Sequence, residues 1–455
     1  VGTHTLSATD TDAAGNVSAA SGSFALRIVE APDPLVDGVR VVTVPVVLPG
    51  GASGSQVDVP IVGADRAESS GATGVADIPL VSAAGTNLLV AQLAIGYGLS
   101  ASGGTNTTVA NAGTNLIAAI QAATASDGSG DQGHMVGNGQ SYLAQLAASH
   151  SLLVETVTPV SSAAPNGTLT LNGSADPQQH VALVIQAAGL ASGSTIALQN
   201  VEFAAVVGAA NVVAQASTQM LSGDAASQHF TLASGGSTQV FAGGGDDTMS
   251  FGAPPPGATA SGATRAQAAP ATTLLHGGAG DDTAVFAGAR ADFDIETHND
   301  YLIVSSKAAP AAKALVVNVE HLQFSDATVA VQNGADLAPL TGLYQAVLGR
   351  QADVYGLDFW ATVHGQGASL GAIALSMIGS AERLATQGGF NGDVGHDVGL
   401  LYAGLFDRAA DTAGLAFWTA AVQHGATLTQ VADAMLQSVE MVGQQGTPLD
   451  WNFSM

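Results

Sequence analysis

The chain has no cysteine, which excludes disulfides, thiolate zinc sites and cysteine nucleophiles. Cationic side chains are nearly as scarce: 10 Lys and Arg stand against 36 Asp and Glu, and lysine occurs only at Lys307 and Lys313. Phosphate recognition needs clustered Lys and Arg, so nucleic acid and an anionic membrane surface are poor partners. The formal charge is −26, yet only 10% of residues are charged, so the imbalance comes from missing cations rather than dense carboxylates. Aromatic residues make up 5%. No apolar run reaches the length of a membrane span; residues 87–101 come nearest and are broken by Gly96 and Gly98.

What is present points to short strands and tight turns. The 455 residues are 47% hydrophobic, enough for a sizeable core and two to four domains, and 57 of them are Gly. No signal peptide is visible and the chain opens on Val, so it reads as the C-terminal part of something longer. Residues 2–9 and 23–28 alternate as strands should, around the turn Asp12-Ala13-Ala14-Gly15-Asn16. From 32 to 189 the pattern is mixed. Residues 39–48 and 76–81 suggest strands, and 115–125 and 140–149 suggest helices. Gly128-Ser129-Gly130-Asp131-Gln132-Gly133 fits G-x-G-x-x-G but reads as a polar loop with no strand before it, which argues against a nucleotide site.

From about residue 190 the chain becomes a ladder of short β-like runs: 195–203, 211–214, 229–232, 239–241, 248–251, 273–275, 283–286 and 301–305. Repetition at short spacing suggests a solenoid. Asn200-Val201-Glu202-Phe203 recurs loosely as Asn318-Val319-Glu320 with Phe324, and both glutamates read as exposed strand residues. Residues 252–272, rich in Pro, Ala, Thr and Gly, read as an excursion from the ladder. After about 336 the pattern turns helical. Leu343-Tyr344 onward aligns without a gap on Leu401-Tyr402 onward, at an offset of 58 residues, through Arg350/Arg408, Asp353/Asp411, Gly356/Gly414, Phe359/Phe417, Trp360/Trp418 and Glu382/Glu440. Arg and Asp are spaced to pair locally in each copy, the glycines permit close approach, and the Phe-Trp pairs are expected to face a core. Thr427 with Gln430 fits a capping box.

The sharpest chemical motif is Gly277-Gly278-Ala279-Gly280-Asp281-Asp282, with a second copy at Ala242-Gly243-Gly244-Gly245-Asp246-Asp247. Calcium takes six to eight hard oxygen ligands at about 2.3–2.6 Å; glycines aim carbonyls inward and Asp supplies charge. The expected metal residues are therefore Gly243, Gly245, Asp247, Gly278, Gly280 and Asp282, with Met249 and Ala284 pointing into the core. The copies lie 35 residues apart, so they stack only if 252–272 loops out. The plain alternative is a degenerate turn in which Gly and Asp merely form the corner. Catalytic sets are sparse: no H-E-x-x-H occurs, no lipase-type nucleophile elbow stands out, and the 11 histidines are scattered. His276-Gly277-Gly278 superficially matches an esterase oxyanion loop but overlaps the Gly-Asp motif.

These copies, with Thr283-Ala284-Val285-Phe286 and Asn318 to Asp326, resemble the calcium repeats of RTX (repeat-in-toxin) secreted bacterial proteins. The helical duplication resembles a domain of unknown function, DUF4214, and residues 1–31 resemble the last two strands of a bacterial immunoglobulin-like repeat. Asp450-Trp451-Asn452-Phe453-Ser454-Met455 resembles the C-terminal signal of type I secretion substrates. The resemblances imply a multidomain, mainly β chain: an Ig-like remnant at 1–31, a mixed α/β module at 32–189, an RTX-like parallel β-solenoid (β-roll) at 190–335, an all-α DUF4214-like domain at 336–447 and a secretion tail at 448–455. They imply bound Ca2+ and a secreted, non-enzymatic surface protein whose partners are copies of itself and cell-surface polysaccharide. Its expected role is self-assembly into a surface layer (S-layer), sheath or filament. The alternatives are the export-side region of a large adhesin and, more weakly, a hydrolase with its site in 32–189.

Overall fold

The computed structural model describes the chain except residues 1, 29–34, 67–73, 127, 164, 166, 216–217, 234–236, 252–271, 300, 332–336, 351, 382, 385–387 and 439–455. The excursion at 252–272 (but for Thr272), the pair Glu382/Glu440, Trp451 and the tail at 448–455 therefore lie outside the described residues. The protein is mainly β, with several sheets and eight α-helices among the described residues and no closed barrel. No helix among them is long and apolar enough to cross a membrane.

The first hairpin pairs Gly2–Leu6 with Phe24–Ile28 antiparallel. The Asp12 carboxylate organises the intervening turn, accepting the Ala14 and Asn16 N–H groups at 2.9 Å each, while Gly15 takes φ +85°. Such Asx geometry is why Asp and Gly mark turns.

Two larger sheets, of 13 and 10 strands, carry most of the chain. In the first, Ser151–Ser161, Gln179–Gln186, Phe203–Val207, Met220–Gly223, Gln239–Gly244, Thr272–Ala279 and Ala309–Val317 pair in parallel, each with the next. In the second, Leu169–Gly173, Thr195–Gln199, Asn211–Ala214, His229–Leu232, Thr248–Phe251, Thr283–Phe286 and His321–Gln323 do the same. The chain alternates between the sheets, so each coil contributes one strand to each. Successive partners Phe203↔Met220, Met220↔Gln239 and Gln239↔Leu274 are 17, 19 and 35 residues apart. Antiparallel strands finish both ends: Val42–Val47, Ser53–Val59, Val75–Ala83, Thr86–Ala94 and Tyr97–Gly103 before the parallel run, Phe293–Thr297, Tyr301–Ser306 and Thr328–Ala330 after it.

Between the sheets lies one hydrophobic core that runs from Val39 to Phe324. Its layers come from stacked positions; Phe230, Met249, Ala284 and Leu322 pair in sequence across four coils. Met249 and Ala284 are both fully buried, as their motif position predicts. The small Ala284 is tolerated because large neighbours flank it in the column. That packing by Val, Leu and Ala explains how a chain so poor in aromatics still fills a core.

Parallel pairing begins at Ser151, well before the boundary at 189/190 drawn from sequence. The reason is burial. Residues Gln179 to Ile185 are all buried, so this strand lacks the inside-outside alternation that marks a one-sided strand. Helices cover its outer face. They span Val109–Ala123 and Ser129–Ala144, longer and earlier than the expected 115–125 and 140–149. Gly128 to Gly133 is thus not a loop: Gly128 caps the second helix and the rest forms its first turns. Four glycines blur this helix's pattern, and one has a packing reason, since a Cβ on Gly139 would stand 2.8 Å from Ile120 Cδ1.

The second core joins these helices to the outer face of the first sheet; Tyr142 stacks on Phe203 with ring centroids 5.1 Å apart. His134 and His276 are both buried near Phe241, with ring centroids 6.3 and 5.9 Å from it. Burial pulls His134 down to about 4, and burial with the charge of His134 pulls His276 down to about 3. A histidine depressed from 6.5 in the folded state contributes stability above that pH and loses it as the pH falls toward the folded value. Each should cost about 2 kcal/mol at pH 5. Burial raises Glu155 to about 8, which acts with the opposite sign, so the effect is read as a difference. Thermal unfolding at pH 7 and pH 5 should show a smaller loss for His276→Gln than for wild type; equal losses would contradict the buried neutral pair.

The C-terminal region is helical: Ala338–Leu343, a π-helical turn at Tyr344–Leu348, Val354–Gly365, Leu370–Ile378, Val394–Leu405, Thr412–Gln423 and Leu428–Leu436. The two copies repeat their capping chemistry. Asp353 accepts from Gly356 N at 2.7 Å and lies 3.2 Å from Arg350; Asp411 accepts from Gly414 N at 2.8 Å and lies 3.7 Å from Arg408. A Cβ at Gly356 would run into the Tyr344 hydroxyl, and one at Gly414 into the Tyr402 hydroxyl. The Thr427/Gln430 capping box is present. Gly367-Ala368-Ser369-Leu370-Gly371 has the letters of a nucleophile elbow, a match missed in the sequence. It joins two helices instead of following a strand, and Ser369 is an N-cap accepting from Ala372 N at 3.2 Å.

The expectation that Phe359 and Phe417 face a core is wrong. They are 58% and 64% exposed, while Trp360 and Trp418 pack half-buried against the helices. Adjacent helical residues point about 100° apart, and here the Trp of each pair turns toward the helices while its Phe turns to solvent.

Candidate metal centre

All six residues singled out as calcium ligands meet at one corner of two successive coils. Gly243 pairs with Gly278 in the first sheet, and Gly245 and Gly280 follow in the turn. Asp247 and Asp282 immediately precede the paired strands Thr248–Phe251 and Thr283–Phe286. The 35-residue separation is thus accommodated in register.

The four glycines have φ values of +104°, +89°, +115° and +141°, a region that side chains rarely tolerate. Close stacking adds a second demand. A Cβ on Gly278 would collide with Gly243 O, one on Gly280 with Gly245 O, and one on Gly243 would lie 2.5 Å from Asp224 O. Backbone carbonyls of one coil therefore crowd against the next at this corner.

Two carboxylate ladders run along the same corner. In the inner one, Gln228 N donates to Asp247 Oδ1 at 2.6 Å, Asp247 N to Asp282 Oδ1 at 2.8 Å and Asp282 N to Glu320 Oε2 at 2.8 Å. In the outer one, Asp246 N donates to Ser227 Oγ and Asp281 N to Asp246 Oδ1, both at 3.0 Å, and the Asp281 carboxylate meets His321 Nε2 at 2.8 Å. Asp247 is 2% exposed and Asp282 not at all. Burial raises Asp247 to about 8, with Asp282, Asp224 and Asp246 adding to it; burial raises Asp282 to about 7, with Glu320, Asp246 and Asp281 adding. The N–H donors oppose both shifts without cancelling them.

The donor set suits a hard divalent cation. Oδ2 of Asp247 and of Asp282 is buried with no hydrogen-bond partner, and neither residue makes an ion pair among the described residues. Buried unpaired carboxylate oxygens are costly, and a cation would offset that cost. Among the described residues no three His, Asp or Glu side chains gather as a metal-holding group, so the remaining ligands would be carbonyl oxygens.

Sequence reasoning missed the neighbouring coils. Asp224 and Gln228 stand where Gly243 and Asp247 stand one coil later, but the Gly-x-Gly signal is absent there. Glu320 was expected to be an exposed strand residue and instead ends the inner ladder. Glu202 was expected to be exposed too; it is fully buried and accepts from Val181 N at 2.7 Å. The shared Asn-Val-Glu phrase marks a corner in both places, with Asn200 at φ +50° and Asn318 at φ +45°.

Among known families, the model described as "Domain of unknown function (DUF4214)" matches residues 332–387 and again residues 391–445. No curated protein and no solved structure matches the chain. The C-terminal helical duplication is thus two successive DUF4214 units, as the repeated Leu-Tyr and Phe-Trp phrases indicate.

Proposed function

We propose that the chain is a secreted, non-enzymatic structural protein of the cell surface, built on an RTX-like parallel β-solenoid that calcium stabilises at its Gly-Asp corners. The observation that carries this reading is the in-register stacking of Gly243 on Gly278, with the buried, unpartnered oxygens of Asp247 and Asp282 beside it. Self-assembly into a layer, sheath or filament is supported by the ends of the sheets. Val42–Val47 is the last strand of its sheet and leaves Val47 78% exposed, an edge on which another copy can pair. A low charged fraction limits repulsion between copies once calcium offsets the corner carboxylates. The second reading, an export-side region of a large adhesin, draws on the separate hairpin at 2–28, which has the strand-turn-strand form of the end of an immunoglobulin-like repeat. Electron microscopy of the purified chain before and after calcium addition decides between them. Ordered filaments or sheets are the expected product, whereas dispersed single particles at high concentration with calcium would remove the assembly role.

A further inference from the structure

A cavity of about 510 Å³ opens where the first sheet's parallel strands begin, against the end of the helix Ser129–Ala144. Gln145, Gln219 and Gln239 bring three carboxamides to it, and Ser237 a hydroxyl. Leu146 and Ala147 supply apolar surface, and His150 and His180 complete the wall. Among the described residues no Lys, Arg, Asp or Glu lines it, so they offer neither an anionic nor a cationic ligand a counter-charge.

The histidines end a buried chain of polar groups. Glu202 Oε1 lies 3.4 Å from His180 Nδ1, and His180 Nε2 lies 3.1 Å from His150 Nδ1. With both rings neutral and Glu202 ionised, the carboxylate's charge favours the proton of His180 on Nδ1, although the two atoms make no hydrogen bond. His180 Nε2 then accepts from His150 Nδ1–H, and His150 Nε2 is left as an acceptor. The ring centroids are 5.3 Å apart and the rings are inclined by 21°. That separation is close to the nitrogen–nitrogen distance plus one ring radius at each end, so the two nitrogens point at each other. This geometry holds a proton between them, not a metal ion.

We propose that this cavity binds a neutral saccharide, whose hydroxyls pair with the carboxamides, Ser237 and a His150 imidazole set in one tautomer by His180 and Glu202. Carboxamides both donate and accept, as sugar hydroxyls do, and the volume is that of an ordinary small-ligand pocket. In this account Glu202 is a positioning residue.

The test uses the full chain with 15N-labelled histidine, titrated with cellobiose, lactose and chitobiose, and with glucuronate and zinc as charged comparators. At least one neutral disaccharide should shift the His150 signal saturably at millimolar concentration. His150→Ala, read by the His180 signal, and Gln239→Ala, each checked for folding by circular dichroism, should weaken binding at least tenfold. In Glu202→Gln, the nitrogen shifts of both rings should report altered tautomers. Silence with every neutral sugar, a response to glucuronate or zinc alone, or unchanged binding in both folded variants would overturn the proposal.

Discussion

Gly278→Ala is expected to be the most damaging single substitution at the corner, lowering stability by at least about 3 kcal/mol. Two independent causes add. The backbone sits at φ +115°, and the new methyl would occupy the space of Gly243 O. Neither can relax cheaply, because the obstacle is backbone, and Gly243 is itself at φ +104° with its own Cβ direction facing Asp224 O. The clash would have to propagate through three coils. Gly133→Ala is the matched control: it lies inside a helix with nothing near its Cβ direction and should gain about 0.5–1 kcal/mol. Thermal or denaturant unfolding of both variants measures the contrast. A Gly278→Ala protein that melts like wild type would mean the two coils are not stacked in this register.

Calcium should raise the melting temperature of the wild type, by about 2.7 kcal/mol of stability at a hundredfold excess over its dissociation constant, and chelation should reverse the gain. Asp282→Ala should abolish most of this response and also orphan the Asp247 N–H, at a further cost of about 1–3 kcal/mol. Asp282→Asn separates the two roles. The carboxamide oxygen can still accept from Asp247 N, but the charge is gone. A folded-state value raised to about 7 means that the neutral group is favoured, with stability present at low pH and lost as the pH rises through that value. At pH 8 without calcium, Asp282→Asn should therefore be at least as stable as wild type, and with calcium it should fall behind. Equal calcium responses in wild type and Asp282→Asn would show that the corner is only a hydrogen-bonded turn.

The strands most legible in the sequence are those with one buried face and a marked corner: His229–Leu232, Thr248–Phe251 and Thr283–Phe286 emerge with the bounds their alternation predicts. Gln179–Gln186 escaped because both of its faces are covered, which erases the period of two. The helix Ser129–Ala144 escaped because four glycines interrupt its apolar stripe, and of these Gly139 serves close packing against Ile120. At the candidate site, the Gly-Asp spacing singled out six residues that share one corner. Their burial was not readable, since it depends on which coil lies above. Glu202 shows the same limit: a lone glutamate in a strand-like run gives no hint that His180 and Val181 N wait for it in the previous coil.

The inner ladder has a consequence for the order in which coils can close. Gln228 N–H is satisfied by Asp247, Asp247 N–H by Asp282, and Asp282 N–H by Glu320. Every acceptor lies further along the chain than its donor, so a coil is finished only when its successor arrives. The stack therefore has a polarity. A chain delivered N-terminus first keeps its newest corner open until the next segment appears, whereas one delivered C-terminus first meets an acceptor already in place and can zip shut as it emerges.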